Sequence, residues 1–168
     1  MIYVHIVINL LTILAALRWG DWKNINKYYP TLLYLLVGNL LYFYLYDKDM
    51  LWDFTPDFSE KWDKIREIIY IFIAFPCSIL LYLSNMPQTK TKKLLHIILW
   101  IVIYSCLELL WHHFGLVSYN RGWNFWWSLG FDCVMFPLLL LHNKRPYVTL
   151  IISLAFVLFL TSIFSPKW

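Results

Sequence analysis

The sequence predicts an all-α, polytopic membrane protein: a bundle of six transmembrane helices forming one domain over residues 1–168. Three observations predict it. Apolar runs at 1–17, 31–46, 68–84, 94–111, 125–141 and 148–164 each approach the length a helix needs to cross a hydrocarbon core of roughly 30 Å. These runs are apolar nearly all round, whereas a helix of a soluble domain keeps a polar face. Hydrophobic residues make up 61% and charged residues 14% of the chain, against roughly 45–50% and 25% in soluble domains.

The first run is short and ends in Ala15-Ala16, which invites comparison with a secretion signal. A signal carries its positive charge ahead of the apolar stretch; here Arg18, Lys23 and Lys27 follow it. A retained span with its N-terminus outside is expected. His5, Asn9 and Thr12 form a helical stripe along this run, a pattern that usually supplies interhelical hydrogen bonds worth about 1 kcal/mol or less. The second run is rich in Tyr and carries Asn39 after Gly38.

The connection that follows mixes aromatic and acidic residues from Leu51 to Trp62. Pro56 with Asp57 and Ser59 predicts a helix start, with Glu60 in its first turn favoured by the helix dipole. The segment suits an outer lid over a pocket or, the better fit, an amphipathic stretch whose Trp and Phe dip between lipid headgroups. Pro76 in the third run and Pro137 in the fifth predict kinks or unpaired carbonyls. His96 opens the fourth run.

Charge orients the bundle. Arg18, Lys23, Lys27, Lys90, Lys92, Lys93, Lys144 and Arg145 fall in the first, third and fifth connections. Lys48, Lys61, Lys64, Arg66, Arg121 and Lys167 fall in the others, and the first four of these are mixed with Asp47, Asp49, Asp53, Asp57, Glu60 and Asp63. The connection at 85–93 is short, basic and free of acid, the strongest single cytoplasmic signal. Both termini are therefore predicted outside a cell membrane. The net charge of +4 is scattered over connections instead of lining one helix face, which excludes a nucleic-acid partner.

Other classes fall away for lack of signal. Cys77, Cys106 and Cys133 lie inside predicted spans, with no CxxC pair and no disulfide framework. No GxxxG occurs, so helices are expected to pack through bulky aromatics, which make up 20% of the chain. A Walker sequence, GxGxxG and GxSxG are all missing, which excludes a primary pump acting alone. The Tyr-rich second and Trp-rich fifth runs do not align, so inverted repeats have no support.

Chemistry concentrates in residues 104–132. Tyr104, Ser105, Glu108, Trp111 and His112 share one face of the fourth span, and His113 follows. A turn rich in hydrogen-bonding groups, with Tyr119, Arg121 and Trp123, leads to the fifth span, which carries Trp127, Ser128 and Asp132. Glu108 and Asp132 are both expected in the outer half of the bilayer. An ionised carboxylate there costs a few kcal/mol unless it is paired, protonated, metal-bound or facing water.

Three outcomes compete. Glu108 and His112, with His113, could hold a divalent metal, because carboxylate and imidazole at i, i+4 can ligate one ion. No HExxH spacing supports that, and the sequence requires no cofactor. Alternatively Glu108 acts as charge centre and His112 as its protonation partner. Arg121 and Asp132 then form the opposing wall, with Tyr119, Trp123 and Trp127 as flat contacts for a small solute or proton. Lastly, the network only fixes helix packing. A metal-dependent enzyme acting on a lipid is the alternative class, and a scaffold the third. Besides the lipid bilayer, a second copy of the chain or a partner subunit would also satisfy polar groups at this depth.

Glu108-Leu109, Phe114-Gly115, Tyr119, Trp123-Asn124, Trp127-Ser128, Phe136-Pro137 and His142 together resemble a family of small multi-span membrane proteins of spore-forming Firmicutes with no assigned activity. The resemblance covers mainly the fourth and fifth spans. It implies a bacterial cell-membrane protein and draws attention to Glu108, Tyr119, Trp123 and Asn124; it carries no mechanism. In architecture the chain is also similar to the substrate-binding subunits of energy-coupling-factor vitamin transporters, which have six spans and aromatic outer pockets. It lacks their AxxxA docking pattern.

Overall fold

A computed structural model describes residues 2–46, 49–56 and 60–166. The chain forms α1 (Ile2–Trp19), a 3-10 turn (Trp22–Asn24), α2 (Ile25–Tyr46), β1 (Trp52–Phe54) and α3 (Glu60–Ile69). Helix α3 runs through a π-helical turn (Tyr70–Ala74) into α4 (Phe75–Ser84). Then come α5 (Lys90–His113), β2 (Val117–Tyr119), α6 (Phe125–His142) and α7 (Pro146–Ile163). Asp57 and Ser59, expected to start α3, lie outside the described residues; the helix is under way at Glu60.

Four helices are long and apolar enough to cross a membrane: Lys61–Ser84, Lys90–His113, Phe125–His142 and Pro146–Ile163. The first two expected spans meet instead at a sharp elbow, with Tyr3–Trp19 and Trp22–Tyr46 bent by 80°. Local packing explains the bend. A Cβ on Gly20 would stand 2.5 Å from the Ala16 carbonyl oxygen, so only glycine fits. The Trp22 indole N–H donates to that same oxygen at 2.6 Å, which ends α1 and turns the chain. Helix α2 holds Tyr28, Tyr29, Tyr34, Tyr42, Tyr44 and Tyr46 besides Asn39, which interrupt its apolar surface with polar groups.

The kink expected at Pro76 takes the form of the π turn directly before it. Proline has no N–H and its ring crowds the carbonyl four residues back; widening that turn relieves the clash. Helix α4 packs against α1 and α2, α5 against α6, and α6 against α7 and α2. The innermost cluster is Tyr28, Ile79, Leu80, Tyr82, Leu83, Phe136 and Leu139. Leu95, Leu99 and Val102 on α5, like Ile151, Leu154 and Leu158 on α7, are exposed, as suits helices that face lipid.

Contacts sort the connections to two ends. At one, Asn85 Nδ2 donates to the Trp19 carbonyl at 3.1 Å and Thr31 Oγ1 pairs with His142 Nδ1 at 3.0 Å. At the other lies a feature absent from an all-α expectation. Strands β1 and β2 form an antiparallel ribbon in the register Trp52↔Tyr119, Asp53↔Ser118 and Phe54↔Val117. Thr55 N–H to Leu116 and Asn120 N–H to Leu51, both 2.9 Å, extend it.

Candidate functional site

Helix α5 turns Ser105, Glu108 and Trp111 inward, and the facing side of α6 contributes Ser128 and Asp132; all are buried. Asn124 starts α6 by accepting from the N–H groups of Trp126 at 3.0 Å and Trp127 at 3.4 Å. This fixes where Ser128 and Asp132 fall on the helix. The Tyr119 hydroxyl reaches down from β2 and donates to Glu108 Oε1 at 2.6 Å. Burial, then the Glu108 carboxylate, push the Tyr119 phenol above its ordinary 10.0, so it remains a donor at neutral pH.

Ser128 and Trp52 also face the Glu108 carboxylate. The His112 ring stacks on Tyr119 with centroids 4.9 Å apart. Trp123 Nε1 donates to Ser128 Oγ at 2.8 Å. Asp132 lies within the electrostatic reach of Glu108 on one side and of Tyr104 on the other. The Tyr104 hydroxyl pairs with Ser78 Oγ on α4 at 2.5 Å. A polar line thus descends from His112 and Tyr119 through Glu108 and Asp132 to Tyr104 and Ser78. There it stops. Phe136, fully buried, stands edge-on to Tyr104 at 5.0 Å, and its carbonyl is taken by Tyr82 Oη at 2.9 Å.

The ribbon roofs this line. Trp52 packs 6.3 Å from Trp111, and its backbone both donates to and accepts from Tyr42 Oη at 2.9 Å, which clamps β1 to α2. Leu51 and Phe54 are buried, so this part of the aromatic–acidic connection belongs to the bundle, while Trp62 farther along is exposed.

The remaining expected residues stand apart from the acid pair. Arg121 sits in a tight turn closed by Trp123 N–H to Asn120 at 3.0 Å, where Arg121 and Gly122 take φ of 57° and 83°. Its guanidinium pairs with Asp49 at 3.5 Å, donates to the Ser165 carbonyl and lies 5.9 Å from the Tyr46 ring. Trp123 and Trp127 stack on each other at 6.1 Å, and Phe164 fills the space against both. Trp127 also lines an apolar groove of about 210 Å³ between α6 and α7. His113 is exposed, edge-on to Phe114. Among the described residues no group of three or more His, Cys, Asp or Glu side chains is placed to hold a metal ion, so Glu108, His112 and His113 do not assemble as one.

Two participants escaped the sequence pattern. Ser78 is a small hydroxyl in an apolar helix, and nothing in its spacing points to Tyr104. Trp52 belongs to the aromatic–acidic connection, where interfacial aromatics are expected anyway. Set beside protein-family models, curated proteins and solved structures, the chain matches none.

Proposed function

We propose that this chain is a six-crossing membrane protein that binds a proton, or a small solute carrying positive charge, at the Glu108–Asp132 pair. One observation carries the proposal: two buried carboxyl groups sit on facing helices, and no Lys or Arg among the described residues is ion-paired to either. Ionised carboxylates at membrane depth cost a few kcal/mol each, and two near each other also repel. A bound proton or cation relieves both costs. Because the polar line ends at Phe136, the arrangement favours a site entered from one side over an open pore.

The contacts support six crossings. His5 of α1 lies by Phe54 and Tyr70 at the ribbon end, whereas Trp19 meets Asn85 at the other. Helix α2 returns, from Thr31 beside His142 to Tyr46, whose hydroxyl donates to the Phe164 carbonyl. An 80° elbow then joins two steeply inclined helices. The basic connections with Arg18, Lys90 and Lys144 gather at the end away from the ribbon, so the positive-inside rule puts the ribbon and both termini outside. The likeness to small membrane proteins of spore-forming Firmicutes agrees with a cell-membrane location.

Infrared spectroscopy of the reconstituted protein at neutral pH tests the pair. A protonated-carboxyl band that shifts in D2O, vanishes in Asp132→Asn and moves in Glu108→Gln is the expected result. With no such band, a small cationic solute retained by wild type and lost in both variants would keep the site. With neither, and with variants that only unfold earlier, the cluster is helix-packing chemistry and the proposal falls.

A further inference from the structure

The elbow between α1 and α2 carries a different chemistry. Its outer corner holds a concavity of about 420 Å³ lined by Asp21, Lys23, Asn24, Asn26 and Lys27. The one acid there is already engaged. Asn24 Nδ2 donates to both Asp21 carboxylate oxygens at 3.0 Å, and Tyr28 Oη donates to one of them at 3.4 Å. Against that single carboxylate stand two cations, Lys23 and Lys27, both exposed, with the Lys27 ammonium 5.3 Å from the Tyr28 ring centroid.

Exposed aromatics flank the cup: Trp19 is 63%, Trp22 43% and Tyr29 55% accessible. Indole and phenol rings of this kind settle at the headgroup level of a bilayer. Beside them Leu14, Leu17 and Leu33 present apolar surface on the two arms of the elbow. The cup is thus cationic at headgroup depth, rimmed by interfacial aromatics, and bordered by surface suited to acyl chains. It is held in shape by the Gly20 contact and the Trp22–Ala16 hydrogen bond.

We propose that this cup binds the phosphate of an anionic phospholipid in the leaflet at that end of the bundle. Lys23 and Lys27 supply charge, and Asn26 supplies an amide hydrogen bond to the headgroup, while Asn24 holds Asp21 aside. The site is independent of the Glu108–Asp132 pair and stands if that pair proves structural.

The test reconstitutes the protein in nanodiscs made from equal parts of phosphatidylglycerol and phosphatidylcholine, moves it to mild detergent, and counts retained lipid by native mass spectrometry. Wild type is expected to retain phosphatidylglycerol in preference. In the Lys23→Gln, Lys27→Gln double variant the preference should fall about thirtyfold, the effect of two cations near an anionic surface. A control double variant, Lys90→Gln with Lys92→Gln, neutralises cations at the same end and should keep it. Equal loss in both variants would show a diffuse attraction to the basic face and overturn the proposal. So would a wild type with no preference, or one that retains added inorganic phosphate and no lipid.

Discussion

The phenol of Tyr119, on the ribbon, donates to the carboxylate of Glu108, inside α5, across 2.6 Å. One hydrogen bond therefore ties the ribbon to the first buried acid beneath it. Tyr119→Phe keeps the ring and its stack with His112 while removing the donor. A hydrogen bond to a charged group contributes about 1.5–3 kcal/mol, so unfolding in detergent should occur earlier by an amount of that order. An unchanged midpoint would mean that Glu108 finds another donor.

Asp53 offers a test by pH. It lies on β1 opposite Ser118, and burial holds its carboxyl above the ordinary 3.8 against the opposing pull of the Phe54 N–H and of Arg66. A raised folded-state value means that, above pH 3.8, the folded chain binds more protons at this group than the unfolded chain does. Its contribution to stability therefore falls as pH rises through that window and stays low at neutrality. Asp53→Asn should raise the unfolding midpoint at pH 7, and the gain should disappear at pH values below 3.8. A gain that persists in acid would assign the effect to packing.

Gly20→Ala probes the elbow. The added methyl would stand 2.5 Å from a backbone oxygen, which cannot move as the end of a flexible side chain can. Overpacking of this kind costs about 1–3 kcal/mol. An earlier melt is expected, together with a changed Trp emission spectrum as the Trp22–Ala16 hydrogen bond opens. A melt equal to wild type would show the bend to be relaxed.

The crossing pattern is checked by labelling single cysteines from outside intact cells with an impermeant maleimide, in a background lacking the native thiols. Cysteine at Gln88 or Lys144 should stay unlabelled, and cysteine at Phe114 should label; all three positions are exposed. Labelling at Gln88 and Phe114 alike would rule out a crossing by α5.

Much of the helical architecture was legible because a bilayer demands long uniform apolar runs, and 68–84, 94–111, 125–141 and 148–164 each lie within a long helix to within a residue. The elbow was not, since it depends on how closely Trp22 and the Ala16 carbonyl crowd Gly20, which no periodicity records. The ribbon escaped for a similar reason: two three-residue strands are too short to alternate visibly. At the site, three- and four-residue spacing placed Ser105, Glu108 and Trp111 on one buried face. That spacing could not show that Arg121 turns away to Asp49, because a side chain in a loop with positive φ takes its direction from the turn.

A π turn is an α-helical turn holding one residue more than it needs. The rod from Glu60 to Ser84 could therefore lose a residue between Tyr70 and Ala74 and remain an unbroken helix. Side chains beyond the cut would keep their heading, because the widened turn closes to α geometry by absorbing the loss. Arg66, upstream, would keep its hold on the Phe54 and Thr55 carbonyls. Ile79, Tyr82 and Leu83 would stay packed against Phe136 and Leu139. The turn is thus the one place where the rod can lose a residue and keep both ends aimed, one at the ribbon and the other at the bundle's centre; a deletion in α3 or α4 would turn one end about 100° against the other.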